Sequence, residues 1–148
     1  MTDFDEVVEQ YHLTLQAFVE GNPQPMENIF SKREDVCLAN PFGGIMHGWE
    51  AVKKSLERAA TLYREGTHSY ENITKYVTAE LGYIIEIENF QAKLGGKAEM
   101  STGSLRVTSI FRKEDGVWKC VHRQADPLTV EQANASIIQK YEKRALGK

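Results

Sequence analysis

Apolar positions along this chain follow two periods, and the switch between them organises it. Between residues 3 and 20, Phe4, Val7, Val8, Tyr11, Leu15, Phe18 and Val19 form one stripe at helical spacing. Asp3 with Glu6 resembles a capping box and Gly21 supplies a stop, so the pattern predicts a helix over 3–20. A short helical turn after Pro25 would bury Met26, Ile29 and Phe30. Residues 36–40 read as a strand ended by Pro41, which has no N–H for a ladder and holds Asn40 extended. Phe42-Gly43-Gly44 turns the chain back through Ile45, Met46 and His47. A second amphipathic helix is expected over about 49–65, with Trp49, Val52, Leu56, Ala59 and Tyr63 inward and Gly66 ending it.

From there to residue 126 the period becomes that of strands, expected at 69–79, 82–94, 97–113 and 117–126. Asp115-Gly116 between the last two is a strong signal for a two-residue hairpin turn. Such a turn sets Phe111 opposite Cys120, Ser109 opposite His122 and Val107 opposite Gln124. One face then carries Leu105, Val107, Ser109, Phe111, Trp118, Cys120, His122 and Gln124, the lining of a semi-polar cavity. The other face is largely cationic, with Arg106, Arg112, Lys119 and Arg123. The register is decisive, because a three-residue turn would exchange His122 for Arg123 on the inner face. Thr129 to Gln132 resembles a capping box opening a last helix to about Leu146.

Helices followed by a run of long strands indicate an α+β fold. The expectation is a single domain over residues 1–148: a cone-shaped, curved antiparallel sheet covered by the N-terminal helices, with 128–148 as a helical extension. A formal net charge of −3 and 26% charged residues give no electrostatic footprint for nucleic acid or an anionic membrane. The acidic opening MTDFDEVVEQ is unlike a secretory signal, and Cys37 and Cys120 have no ligand or redox spacing, so the expected setting is the cytoplasm with reduced thiols.

With the first helix ending in Gly21-Asn22, the Val36…Asn40-Pro41 strand leading to Gly48-Trp49-Glu50-Ala51-Val52, and the Arg106-Val107-Thr108…Gly116…Trp118…Val121-His122 hairpin, the chain resembles the NTF2-like superfamily. Within it the resemblance is to SnoaL-like and ketosteroid-isomerase-like proteins, with their cystatin-like fold, and it covers nearly the whole chain. The superfamily includes isomerases, cyclases, dehydratases, hydrolases and non-catalytic assembly modules, so the resemblance implies a fold more than a reaction. The isomerase branch uses a carboxylate base before the proline, where this chain has Asn40. Its helix-1 tyrosine matches Thr14, and its protonated aspartic acid matches Ser109. An amide cannot abstract a proton, which argues against ketosteroid-type isomerisation.

His122 is the candidate acid/base, an imidazole set opposite Ser109; the alternative is a core histidine bonded to Ser109 or to backbone. Tyr11, Asn40, Trp49, Ser109 and Gln124 are the candidate pocket residues, although Asn40 also suits a turn cap and Trp49 a core wall. His12 and His68 are expected to be exposed. The four histidines show no metal-ligand spacing, and no glycine-rich loop joins a strand to a helix, so neither metal nor cofactor is expected. Three functions remain open: a pocket for a small apolar molecule with polar handles, an isomerase, cyclase or lyase using His122, and a non-catalytic module forming a homodimer through the outer sheet face.

Overall fold

The computed structural model describes residues 2–128. The element order is α1 (Asp3–Val19), α2 (Gln24–Ile29), β1 (Cys37–Ala39), β2 (Met46–His47), α3 (Trp49–Ala60), β3 (Tyr63–Val77), β4 (Leu81–Leu94), β5 (Met100–Glu114) and β6 (Val117–Pro127). This is the expected α+β order; the helix expected from residue 129 lies outside the described residues. The six strands form one sheet in the order β2-β1-β6-β5-β4-β3. Its neighbours are antiparallel except β1 and β6, which run parallel, so the sheet is not wholly antiparallel as expected.

The first helix is capped by Thr2 and Asp5 rather than by Asp3 and Glu6. The Thr2 hydroxyl accepts from the Asp5 N–H at 3.1 Å, and the Asp5 carboxylate accepts from the Thr2 N–H at 3.2 Å. The stripe read from the sequence lays α1 across the inner face of the sheet. Near the hairpin tip, Phe4 meets Phe111 and Trp118 edge-on at 5.7 and 5.1 Å between ring centroids. Tyr11 meets Phe111 in the same way at 5.2 Å. Burying such rings stabilises the fold by roughly 1.5–3 kcal/mol each. The Lys75 ammonium pairs with Asp5, tying β3 to the same helix.

The second long helix stops at Ala60, well before Gly66. Gly66 instead marks a close crossing. A Cβ there would sit 2.3 Å from the Val19 carbonyl oxygen, so only glycine lets β3 pass this near the end of α1. Gln16 reinforces the crossing, donating to the Gly66 carbonyl at 3.0 Å and accepting from the His68 N–H at 2.8 Å. Among the described residues, no helix is long and apolar enough to cross a membrane.

Around Asp115-Gly116 the hairpin forms as expected, with Glu114 opposite Val117 and Phe111 opposite Cys120. The register then slips. Ile110 pairs with His122 and Ser109 with Arg123, leaving Val121 as the extra residue of a β-bulge in β6. Beyond the bulge every β6 side chain changes face. Arg123 and Ala125 turn inward, while His122 and Gln124 turn outward.

Candidate functional site

The inner face of β4 carries Ile84, Glu86, Glu88 and Ala92, and both carboxylates are only 2% exposed. Burying a carboxylate is costly unless a partner answers it. Arg123, delivered inward by the bulge, answers Glu88 as a two-pronged fork, with Nη1 donating to Oε2 at 2.7 Å and Nη2 to Oε1 at 2.8 Å. Burial alone would raise the Glu88 pKa, but the Arg123 charge and its hydrogen bonds outweigh burial and hold it at about 2. Burial likewise works against the Arg123 charge, and Glu88 more than restores it.

Behind this pair, Arg123 Nη1 donates to the Tyr11 phenol oxygen at 2.7 Å, and Tyr11 and Ser109 share a hydrogen bond of 2.5 Å. Burial raises the Tyr11 pKa, so the phenol keeps its proton. His68, on the inner face of β3, completes the group. Its side chain is 5% exposed and its Nε2 lies 3.4 Å from Glu88 Oε1. That nitrogen makes no hydrogen bond among the described residues. On the same strand as Glu88, Glu86 is met by His12 Nε2 at 2.7 Å and by the Asn72 amide at 3.1 Å. The His12 ring stacks on Tyr70 at 3.5 Å.

A cavity of about 50 Å³ opens against the Glu88–Arg123–His68 wall. Its other walls are mostly apolar and come from α1 (Leu15, Phe18, Val19), β1 (Leu38), α3 (Leu56, Ala59, with the polar Ser55) and the sheet (Tyr63, Phe90, Leu105). Asn40, Pro41 and Phe42 bound it at the exposed turn after β1.

The expected pocket residues therefore divide. Asn40 lines the cavity and also caps the turn, accepting from the Phe42 N–H at 3.1 Å while its amide donates to Ser55 at 3.0 Å. Tyr11 and Ser109 stand one layer behind it, bonded to each other. Trp49 lies elsewhere, near Phe30 and under the Lys32 ammonium, whose nitrogen is 3.9 Å from the ring centroid. Gln124 is exposed on the outer face, its amide 3.3 Å from Asp126. His122 faces outward opposite Ile110, so Arg123 takes the inner position because of the bulge.

His12 and His68, expected at the surface, are largely buried because each faces a buried glutamate. The carboxylates themselves escaped the sequence reading, since β4 has isoleucines on both faces and its pattern names no inner side. The usable signal was the shared parity of Glu86 and Glu88. Among the described residues, no three His, Cys, Asp or Glu side chains converge on a metal position.

No curated protein matches the sequence significantly. Among solved structures, an NTF2-like superfamily protein from Salmonella enterica superposes with a TM-score of 0.73 at 13% identity, covering 87% of this chain and 92% of its own. A candidate scytalone dehydratase from Novosphingobium aromaticivorans gives 0.68 at 19% identity, with 88% and 87% covered. A candidate calcium/calmodulin-dependent protein kinase II association domain from Xanthomonas campestris gives 0.71 at 16% identity, with 85% and 88% covered. At such identities these structures share the fold. The sequence model of the SnoaL-like domain, however, matches residues 6–128, and the chain belongs to that family within the NTF2-like, cystatin-like α+β fold.

Proposed function

We propose that this domain binds a small, mostly apolar molecule carrying one or two polar handles, in the cavity between α1, α3 and the sheet. The observation that carries this reading is a buried Glu88–Arg123 pair with His68 on one wall of an otherwise apolar cavity. Concave apolar sites with a few convergent polar groups are where small molecules bind. The volume suits a compact ligand rather than an extended one. Native mass spectrometry of the purified protein, then mild denaturation to release its contents, tests the reading. A released apolar molecule supports it. A protein that emerges empty, and whose unfolding temperature no compact apolar compound raises, sinks it.

A catalytic form of this reading, of isomerase, cyclase or lyase type, replaces His122 by His68, the imidazole at the cavity. Candidate dehydratases among the similar structures favour it. We assign the protein to the cytoplasm, where its two unpaired cysteines stay reduced.

For a protein partner we infer a second copy of this chain, docked on the outer sheet face. There Tyr76 and Tyr83 pair across β3 and β4 while 57% and 36% exposed, next to Ile110 of β5. The resemblance to association domains supports it. A sedimentation mass equal to the monomer at micromolar concentration would remove it.

A further inference from the structure

We propose that His68 Nε2–H is a hydrogen-bond donor held in reserve for the ligand, and that the ligand presents a neutral carbonyl oxygen to it. The inference rests on the binding reading above and deepens it. Three features of the wall lead to it.

The first is the position of the proton. Nε2 lies 3.4 Å from a carboxylate oxygen of Glu88. A bare nitrogen lone pair facing that oxygen would be repelled, so the proton sits on Nε2 whether the ring is neutral or cationic. The second is that this N–H is unspent. Nε2 makes no hydrogen bond among the described residues although it is buried, its 3.4 Å approach to Glu88 Oε1 being long and poorly aligned for one. Buried donors are normally partnered, so an orphan beside a cavity points to an acceptor that arrives with a ligand.

The third is the charge and hydrogen-bond balance of the wall. An anionic ligand would meet the Glu88 carboxylate, an Arg123 cation that Glu88 already neutralises, and apolar surfaces that cannot replace its water. A hydroxyl would bring a proton that needs an acceptor as well as an oxygen that needs a donor. A ketone, aldehyde or ester oxygen accepts one bond and asks for nothing else. His68 itself is held in place from α1, through the bond between Gln16 and its backbone N–H.

Cyclohexanone and methylenecyclohexane make a suitable probe pair, because they share a shape and differ only in C=O against C=CH₂. The proposal expects the full-length protein to bind the ketone about tenfold or more tighter than the alkene, as a bond to an otherwise unpaired donor allows. It also expects the carbonyl stretch of the bound ketone to move to lower frequency in the infrared. Both effects should vanish in His68→Phe and survive in part in His68→Gln, whose amide can still donate. The glutamine variant also separates loss of the donor from loss of folding. Equal binding of ketone and alkene, with no infrared shift, overturns the proposal while leaving the apolar cavity reading intact. Binding of neither probe overturns both.

Discussion

Glu86 and Glu88 stand two residues apart on one face of β4 and are equally buried, yet their charges are held by different chemistry. Glu88 faces a guanidinium, a permanent cation, through two in-plane hydrogen bonds. Glu86 faces an imidazole, whose charge depends on a proton, and a side-chain amide. The partners also come from different places. Arg123 arrives from β6, in the interior of the sheet, whereas His12 and Asn72 come from α1 and the edge strand β3. One carboxylate thus builds a wall of fixed charge beside the cavity. The other clips a helix to the sheet's edge.

The comparison breaks most sharply at Arg123. Arg123→Met leaves Glu88 buried without its cation, and the expected loss is about 3–5 kcal/mol by urea unfolding. Combining Arg123→Met with Glu88→Leu should recover most of that loss, since an apolar pair of similar volume replaces a costly buried charge pair. If the double variant is no more stable than the single one, the wall is held by something other than mutual compensation.

Acid gives the next effect. The Glu88 pKa is depressed from an ordinary 4.5 to about 2, so its contribution to stability is complete above about pH 4.5 and drains away as pH falls through 2. Unfolding free energy measured against pH should fall more steeply in that window for the wild type than for the double variant. Parallel curves would mean that Glu88 is not the group responsible.

At the other carboxylate the expected effect is smaller. His12→Leu leaves Glu86 with Asn72 as its remaining partner and should cost roughly 1–3 kcal/mol. Hydrogen exchange should show the loss in α1 and β3 more than in β5 and β6. On the outer face, Gln124→Ala should change stability by no more than about 0.5 kcal/mol, and it should leave ligand binding untouched. A large loss of binding there would put the cavity on the wrong side of the sheet.

The elements of this fold were legible wherever one period ran uninterrupted. The α1 stripe, the turn after Asn40 and the Asp115-Gly116 hairpin all follow from local spacing and turn chemistry. The early end of α3 did not, because Gly66 reads as a helix stop and serves instead as a point of close approach to Val19. The site was harder to read than the fold. Asn40 lines the cavity while Tyr11 and Ser109 stand one layer behind it, and Glu88, His68 and Arg123 meet there through long-range pairing that no single strand's pattern contains. Their burial also inverts the usual preference of charged residues for the surface, so the ordinary sign of the signal misleads.

The bulge at Val121 carries a consequence for how such interiors diversify. A side chain's access to the interior depends on register as well as on identity, and here leaving one residue out of the ladder selects a guanidinium over the neighbouring imidazole. Pairing Val121 regularly with Ile110, with no bulge, would exchange the two without substituting either, meeting Glu88 with a weak base in place of a permanent cation. In a sheet of this kind, a shift of register is a route to new interior chemistry as direct as substitution, and residues predicted by alternation alone can stand on the opposite side of the strand.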